Sequence, residues 1–378
     1  MSLLLPYTFK KKYRCFKNKK GNSRRRRKKI VVLRFEHIGD VVLITPFLHQ
    51  LRQAFPDAEI SVAIGIWAKE VLINNRDVSR VLIVNHPQSA QNKKYAACIS
   101  ITKFVIASLF YRYDVCIDPR SYLATSVIAW LIHAPVRLGF SGTKGRFFLN
   151  TFIRNEANLQ EVNRTFLLLK YFNVFSEPSR PIVTLTDMET KEVEMLARKM
   201  RLRESVTIFL HDCAPWKPRE LPRAAFIQLI RLLLERITVC KCVIVGTPGE
   251  ETNRELRRVF SNEPRVIYQS DFTLSLRTLR GLYDFGRLYI GIDSGPMHLA
   301  SCSAIPILAI MGPGEFPRFA PYNYQDDSKC IVMRKEIDCS LCKQDFGLNK
   351  CKKGEETCLG LQQISAKDIL SNALRLLN

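Results

Sequence analysis

Two acids stand where a strand of a parallel α/β sheet would hand over to its helix, and their positions suit chemistry. Asp40 lies in Arg34-Phe35-Glu36-His37-Ile38-Gly39-Asp40-Val41-Val42, directly after the apolar run Ile30-Val31-Val32-Leu33. Asp293 lies in Gly291-Ile292-Asp293-Ser294-Gly295-Pro296-Met297-His298-Leu299-Ala300. Ligands of open α/β sheets bind outside the carboxyl ends of the strands, so an acid at that edge is a candidate catalytic group. The plainer reading of Asp40 is an N-cap, a frequent use of Asp before an apolar helix.

Around Asp293 the chain offers more than the acid. Ser294 or Gly295 can cap a helix that takes Pro296 at its first position. Free N–H groups and the positive end of the helix dipole then form an anion site suited to a diphosphate, although the same start is common without a ligand. Upstream, Lys217 and Arg219 sit between prolines in His211-Asp212-Cys213-Ala214-Pro215-Trp216-Lys217-Pro218-Arg219-Glu220-Leu221-Pro222. They read as a phosphate clamp or as solvated loop charges. Glu250 and Glu251, just past Val245-Gly246, can take ribose hydroxyls or simply favour the first turn of a helix.

Four cysteines close the chain's chemical inventory: Cys339, Cys342, Cys351 and Cys358. A C-x2-C pair followed by two more thiols can hold a structural Zn or Fe tetrahedrally, and four free thiols are the alternative. With twelve cysteines in 378 residues and a cytoplasmic setting expected, a disulfide framework is not the reading.

The elements that must position these groups follow from periodicity. Strands are expected at 30–33, 59–65, 78–84, 114–118 and 136–140, alternating with helices that include 67–75, 101–111 and 122–133. The first helix is capped either by Asp40, with Pro46 kinking its second turn, or by Thr45, with Pro46 at its first position. Residues 141–180 break the rhythm with a Gly/Lys-rich loop, one helix over 156–172, and Glu177-Pro178-Ser179-Arg180-Pro181 as the domain boundary. Alternation resumes with strands at 206–211, 240–246, 265–268, 287–292 and 305–311, and a last helix spans 366–377. The expectation is therefore an α/β protein of two doubly wound, Rossmann-like domains facing a central cleft, residues 30–180 and 181–378, after a tail of residues 1–29.

That tail carries thirteen Lys or Arg between Lys10 and Lys29 and no acid, out of a formal net charge of +23. It reads as disordered and needs an anionic partner or water. An anionic membrane surface fits, with Leu3, Leu4, Leu5, Phe9 and Phe16 dipping into the interface; nucleic acid would attract it too, but no folded base-reading module accompanies it. Its apolar residues precede its charges, unlike a signal peptide. Lys103 and Arg112 interrupt the apolar stretch 96–117, so no spanning helix is expected. The chain is expected in the cytoplasm, held peripherally on the inner membrane.

Ile38-Gly39-Asp40-Val41-Val42 with Thr45-Pro46, then Asp293 through Ala300, then Gly312-Pro313, resemble glycosyltransferase family nine, the ADP-heptose:lipopolysaccharide heptosyltransferases. The resemblance runs from Ile30 to the C-terminus. It implies a GT-B fold with acceptor bound mainly by the first domain and nucleotide sugar by the second, and an inverting, metal-independent displacement. Asp40 would be the general base, with Gly39 and His37 beside it on the acceptor side. Asp293 would meet the donor sugar, and the backbone from Ser294 to Met297, with His298, the diphosphate. The chain departs from the family in having Cys213-Ala214 for Gly-Ala, Arg219 for Lys and Leu221-Pro222 for Trp-Pro. The resemblance implies transfer of heptose from ADP-heptose to a lipid-anchored, phosphorylated core oligosaccharide of lipopolysaccharide. A protein acceptor or another sugar donor is the alternative within the class. Outside it stands a non-catalytic binding protein using its tail on nucleic acid or membrane.

Overall fold

The computed structural model describes residues 26–85, 94–156, 158–246, 250–272, 274–312, 314, 316–337 and 355–378. The chain divides between Ser179 and Arg180 into two compact units. In the first, β1 (Lys29–Arg34), α1 (Ile38–Leu43), α2 (Thr45–Ala54), β2 (Glu59–Ile64), α3 (Lys69–Leu72) and β3 (Arg80–Ile83) wind one way from the centre. Then α4 (Lys94–Tyr111), β4 (Val115–Ile117), α5 (Leu123–Leu131), β5 (Val136–Phe140), β6 (Thr151–Ile153) and α6 (Glu161–Phe166) wind the other.

The second unit begins with α7 (Asp187–Lys199) and continues through β7 (Val206–His211), α8 (Arg223–Arg236), β8 (Cys240–Ile244), α9 (Glu251–Val259) and β9 (Val266–Tyr268). It returns through α10 (Leu276–Tyr283), β10 (Leu288–Ile292), α11 (Gly295–Ala300), β11 (Ile307–Ile310) and β12 (Cys330–Met333), then ends in α12 (Leu359–Gln362) and α13 (Ala366–Leu377). The sheet orders are β3-β2-β1-β4-β5-β6 and β12-β11-β10-β7-β8-β9. Each unit thus places its first strand beside its fourth, and every described strand pair is parallel. The winding reverses between β1 and β4 and between β7 and β10, the points where open sheets leave a crevice at their carboxyl edge.

The central strands are buried on both faces, which is why they read as unbroken apolar runs rather than alternating ones. In the second unit, Ile208, Leu210, Ile244 and Ile290 meet Phe226, Leu229 and Leu233 of α8 and Ile369, Leu370 and Ala373 of α13 in one core. Ser365 starts α13 with a capping box: Asp368 N–H donates to its Oγ (3.1 Å), and Ser365 N–H donates to Asp368 Oδ2 (3.3 Å).

Three expectations are corrected. Neither start foreseen for the first helix holds: His37 is the N-cap, Asp40 sits three residues inside, and Thr45 opens a separate helix behind Ile44. Pro46 has no N–H for the Val42 carbonyl, and Thr45 Oγ1 donates to it instead at 2.8 Å, so the helix breaks there. The stretch 141–180 also contains an edge strand, Thr151–Ile153, and Cys330–Met333 adds another at the edge of the second sheet. Edge strands of three or four residues carry too little periodicity to be seen in advance. The single helix foreseen over 156–172 is shorter, with α6 followed by a 3-10 turn over Leu167–Phe172.

Phe226→Ala is expected to cost about 3–5 kcal/mol, because a fully enclosed ring leaves a cavity that its neighbours fill only in part. Hydrogen exchange would show lost protection in β7 and β8 while β1 and β4 keep theirs.

Candidate functional site

In the first unit the site is built on the end of β1. Arg34 is the last residue of that strand and is fully buried. Its Nη2 donates to Asp40 Oδ1 at 3.1 Å and to Glu161 Oε1 at 2.9 Å, and its Nε donates to the Asp40 carbonyl at 3.1 Å. The other carboxylate oxygen of Asp40 accepts the His37 backbone N–H at 3.1 Å. Arg120 Nη1 lies 3.7 Å from Asp40 Oδ1, with its guanidinium 4.5 Å from the centre of the Tyr122 ring.

The partners of Asp40 are themselves held. Glu161, on α6, accepts from Arg164 Nη1 at 3.2 Å on both oxygens. Arg120 rides on a loop pinned by Asp118, whose carboxylate accepts from the Ser121 N–H, Thr125 Oγ1 and Ser126 Oγ at 2.7–2.9 Å. Ser121 takes a left-handed backbone conformation (φ 54°), and its Oγ accepts the Phe140 N–H at 2.7 Å. The reversal point between β1 and β4 therefore presents one anchored carboxylate with two guanidinium groups against it.

These surroundings set the protonation of the acids. Burial pushes the Asp40 carboxyl up, but the charges of Arg34 and then Arg120 outweigh it and hold the group below its ordinary range. Glu36, also buried, moves the other way: desolvation pushes it up to about 7 against the pull of Arg34, 3.8 Å away. Two neighbouring acids are thus driven apart by how closely a guanidinium approaches each.

In the second unit the edge of β7 and β10 gathers a second set. Asp293 follows β10, with His298 Nε2 at 3.7 Å from its Oδ1 and Arg219 Nη2 at 3.6 Å from its Oδ2. Ser294 is the N-cap of α11, and Pro296 sits in its first turn. Gly291 has to be glycine: a Cβ there would lie 2.7 Å from Tyr289 Oη and 2.9 Å from the His211 carbonyl.

Of the two basic loop residues, the structure brings Arg219 to the motif and leaves Lys217 half exposed, 3.5 Å from Glu220 Oε2. Glu220 also accepts the Ala214 N–H at 3.0 Å, folding the loop on itself. Asp212 accepts the Leu221 N–H at 2.8 Å, and burial pushes its carboxyl up to about 7. Glu250 is the N-cap of α9 and packs over Gly246, where an added Cβ would meet its Oε2 at 2.5 Å. The backbone of Glu251 begins α9.

Of the foreseen cysteine set, Cys339, Cys342 and Cys351 lie outside the described residues. Cys358 is the N-cap of α12 and donates its N–H to the Pro218 carbonyl at 3.2 Å. Among the described residues no group of three or more His, Cys, Asp or Glu could hold a metal ion.

Arg34, Glu36, Arg120, Glu161 and Arg164 escaped the reading of the sequence. One signal was present, since Arg34 ends an otherwise apolar strand and a charge there needs a buried partner. Glu161 is 127 residues from Arg34, and no local pattern could pair them.

The chain is similar in sequence and in fold to known proteins. The model of the family described as glycosyltransferase family 9 (heptosyltransferase) matches residues 105–351. A curated relative, lipooligosaccharide heptosyltransferase 2 of Campylobacter jejuni, is 22% identical, with 89% of this chain and 96% of that protein covered. Among solved structures, a family 9 glycosyl transferase from Veillonella parvula superposes with a TM-score of 0.73 at 22% identity, covering 93% of this chain and 97% of that one. The ADP-heptose lps heptosyltransferase II of E. coli gives 0.70 at 18%, covering 92% and 98%.

Two outcomes are expected from the buried cluster. Arg34→Met removes the buried cation shared by two buried carboxylates and should cost about 3–5 kcal/mol in urea unfolding. Glu36, with a folded pKa above its ordinary value, binds its proton more tightly in the native state, so its contribution to stability falls as pH rises from about 4.5 to about 7. Glu36→Gln should remove that decline, which unfolding free energies measured across this window would show.

Proposed function

The chain belongs to glycosyltransferase family 9, and from that membership we propose that it moves heptose from ADP-heptose to a lipid-anchored, phosphorylated oligosaccharide of the lipopolysaccharide core, with inversion at the anomeric carbon. The observation that carries this reading is Asp40, an acid kept ionised by Arg34 and Arg120 at the carboxyl end of the first strand. Its family motif supplies the role, and its hydrogen bonds supply the orientation.

In the proposed reaction, the acceptor hydroxyl oxygen forms a bond to the anomeric carbon as the bond from that carbon to the diphosphate oxygen breaks. The bonding pair leaves with the diphosphate, and the hydroxyl proton passes to the Asp40 carboxylate. A carboxylate held below its ordinary pKa is a weak base, so proton transfer falls late, when the attacking oxygen has become acidic. Gly39 and His37 flank the base on the acceptor side. The first unit takes the acceptor and the second the nucleotide sugar in this reading.

For the donor, Asp293 faces the sugar, and the backbone of Ser294, Gly295, Pro296 and Met297, with His298, faces the diphosphate. Arg219, beside Asp293, is the better placed of the two clamp candidates, and Lys217 is the other. Glu250 and Glu251 are assigned to the ribose. The charge leaving on the diphosphate is met by these groups, and no step is routed through a metal. Cys339, Cys342, Cys351 and Cys358 are assigned at most a structural Zn or Fe. The enzyme works at the cytoplasmic membrane face, where residues 1–29 meet anionic lipid. Relatives named for heptosyl transfer to lipopolysaccharide or lipooligosaccharide support the substrate class.

Incubation of the protein with ADP-heptose and a core oligosaccharide is expected to give transfer with the opposite anomeric configuration by NMR. Asp40→Ala should lower kcat by about 10²–10⁴-fold with circular dichroism unchanged. Full activity in that variant would remove Asp40 as the base. Because Asp40 is held below its usual range, the acid limb of kcat/KM should lie below the range of an ordinary Asp carboxyl. Arg219→Ala should raise the KM for donor at least tenfold, whereas Lys217→Ala should leave it nearly unchanged.

A further inference from the structure

The outer layer of the first unit carries a surface that the transfer reaction does not use. Helix α4 runs for 18 residues, about 27 Å at the helical rise. Its inner positions, Ala97, Phe104 and Ser108, are buried against the sheet. Its outer face is apolar as well: Tyr95 is 89% exposed, Ile99 57%, Ile106 50% and Phe110 86%. Spacings of four, seven and four residues put these four on one stripe, where a water-facing helix would carry charges.

The same layer exposes further aromatic side chains. Phe104 shares a core with Ile128, Ala129 and Ile132, which places α4 and α5 on one face of the sheet. From that layer α5 exposes Trp130, and the 3-10 turn Lys144–Phe148 packed against it exposes Phe147. The charge is one-sided. Between Lys94 and Asn155 the chain has only two acids, Asp114 and Asp118. Asp118 is fully buried in the loop network, and Asp114 accepts from the Lys29 N–H and from Arg26. Lys103, Arg112, Lys144 and Arg146 are exposed.

We propose that this layer docks on a bilayer surface containing anionic phospholipid, with the aromatic and aliphatic side chains at the headgroup boundary and the basic groups on lipid phosphates. An apolar stripe with Trp and Phe beside Lys and Arg is the composition of an interfacial helix. No described helix is long and apolar enough to cross a membrane, so α4 lies in the surface plane. A second copy apposed through this face would bring Lys103 and its basic neighbours against their own kind with no acid between, which disfavours that occupant. The proposal goes beyond the transferase reading by giving the folded domain its own lipid-facing surface; it shares with that reading a membrane-borne acceptor and an anionic lipid surface, there met by residues 1–29.

The test uses the full chain and vesicles of phosphatidylcholine with phosphatidylglycerol. The triple variant Ile99→Glu, Ile106→Glu, Phe110→Glu changes exposed positions only and keeps residues 1–29, so any contribution of the basic tail is equal on both sides. Sedimentation in 0.3 M salt, where exposed charges are strongly screened, should show at least tenfold weaker binding by the variant. Lipids brominated on the acyl chain should quench tryptophan fluorescence of the wild type, and Trp130→Phe should lose most of that quenching while still binding. Equal binding by the triple variant, or quenching that survives Trp130→Phe, would overturn the proposal. A wild-type dimer that the triple variant dissociates would assign the face to a second copy instead. Transfer to a delipidated acceptor is read separately: its absence in the wild type would sink the transferase reading and leave the vesicle result standing.

Discussion

The ionic contact between Arg34 and the carboxylates of Asp40 and Glu161 is the interaction on which the first unit's edge depends. A guanidinium with no solvent exposure is costly to bury and needs anions beside it. Its planar fork makes three donations, two to Asp40 and one to Glu161, while Nη1 finds no hydrogen-bond partner among the described residues. The same bonds that stabilise the cation decide what the acid can be. Asp40 stays an anion although buried, because the charge that burial removes from water is replaced by Arg34 and Arg120. The burial of Arg34 and the ionisation of Asp40 rest on one set of atoms.

Around that contact the architecture is repetitive. Two sheets with the same winding each bring a first and a fourth strand together, and each puts an acid of interest just past one of them. The surroundings of the two acids differ. Asp40 is held at hydrogen-bond distance by Arg34 and by the His37 N–H. Asp293 has Arg219 Nη2 at 3.6 Å from one carboxylate oxygen and His298 Nε2 at 3.7 Å from the other. Fold alone does not specify chemistry, and the difference lies in these contacts rather than in the common winding.

Much of the fold was legible because each central strand, buried on both faces, had to be an apolar run, and each such run ended in a turn. Helix α13 was bounded correctly because a capping box and an amphipathic repeat agree there. Strands β6 and β12 escaped because at three and four residues they are defined by the neighbour they pair with. Asp40 was read as an N-cap candidate for a sound reason, but a cap is one position in a turn. The preceding His37 took it because its extended backbone (φ −87°, ψ 168°) lets Asp40 reach back to its N–H.

Residue types and spacing by themselves determined two doubly wound halves, the carboxyl-edge positions of Asp40 and Asp293, and a family whose motifs sit in strand-turn-helix context. Those are local facts, set within about ten residues by burial period and turn chemistry. Tertiary structure alone decided that Arg34 holds Asp40, that Glu161 and Arg164 hold Arg34's surroundings, and that Arg219 rather than Lys217 reaches Asp293. It also decided that α4, apolar on its outer as well as its inner face, turns Tyr95, Ile99, Ile106 and Phe110 outward. Partners more than a hundred residues apart meet only once the sheet has brought their strands and helices together, and a helix has an inside only after it has been packed.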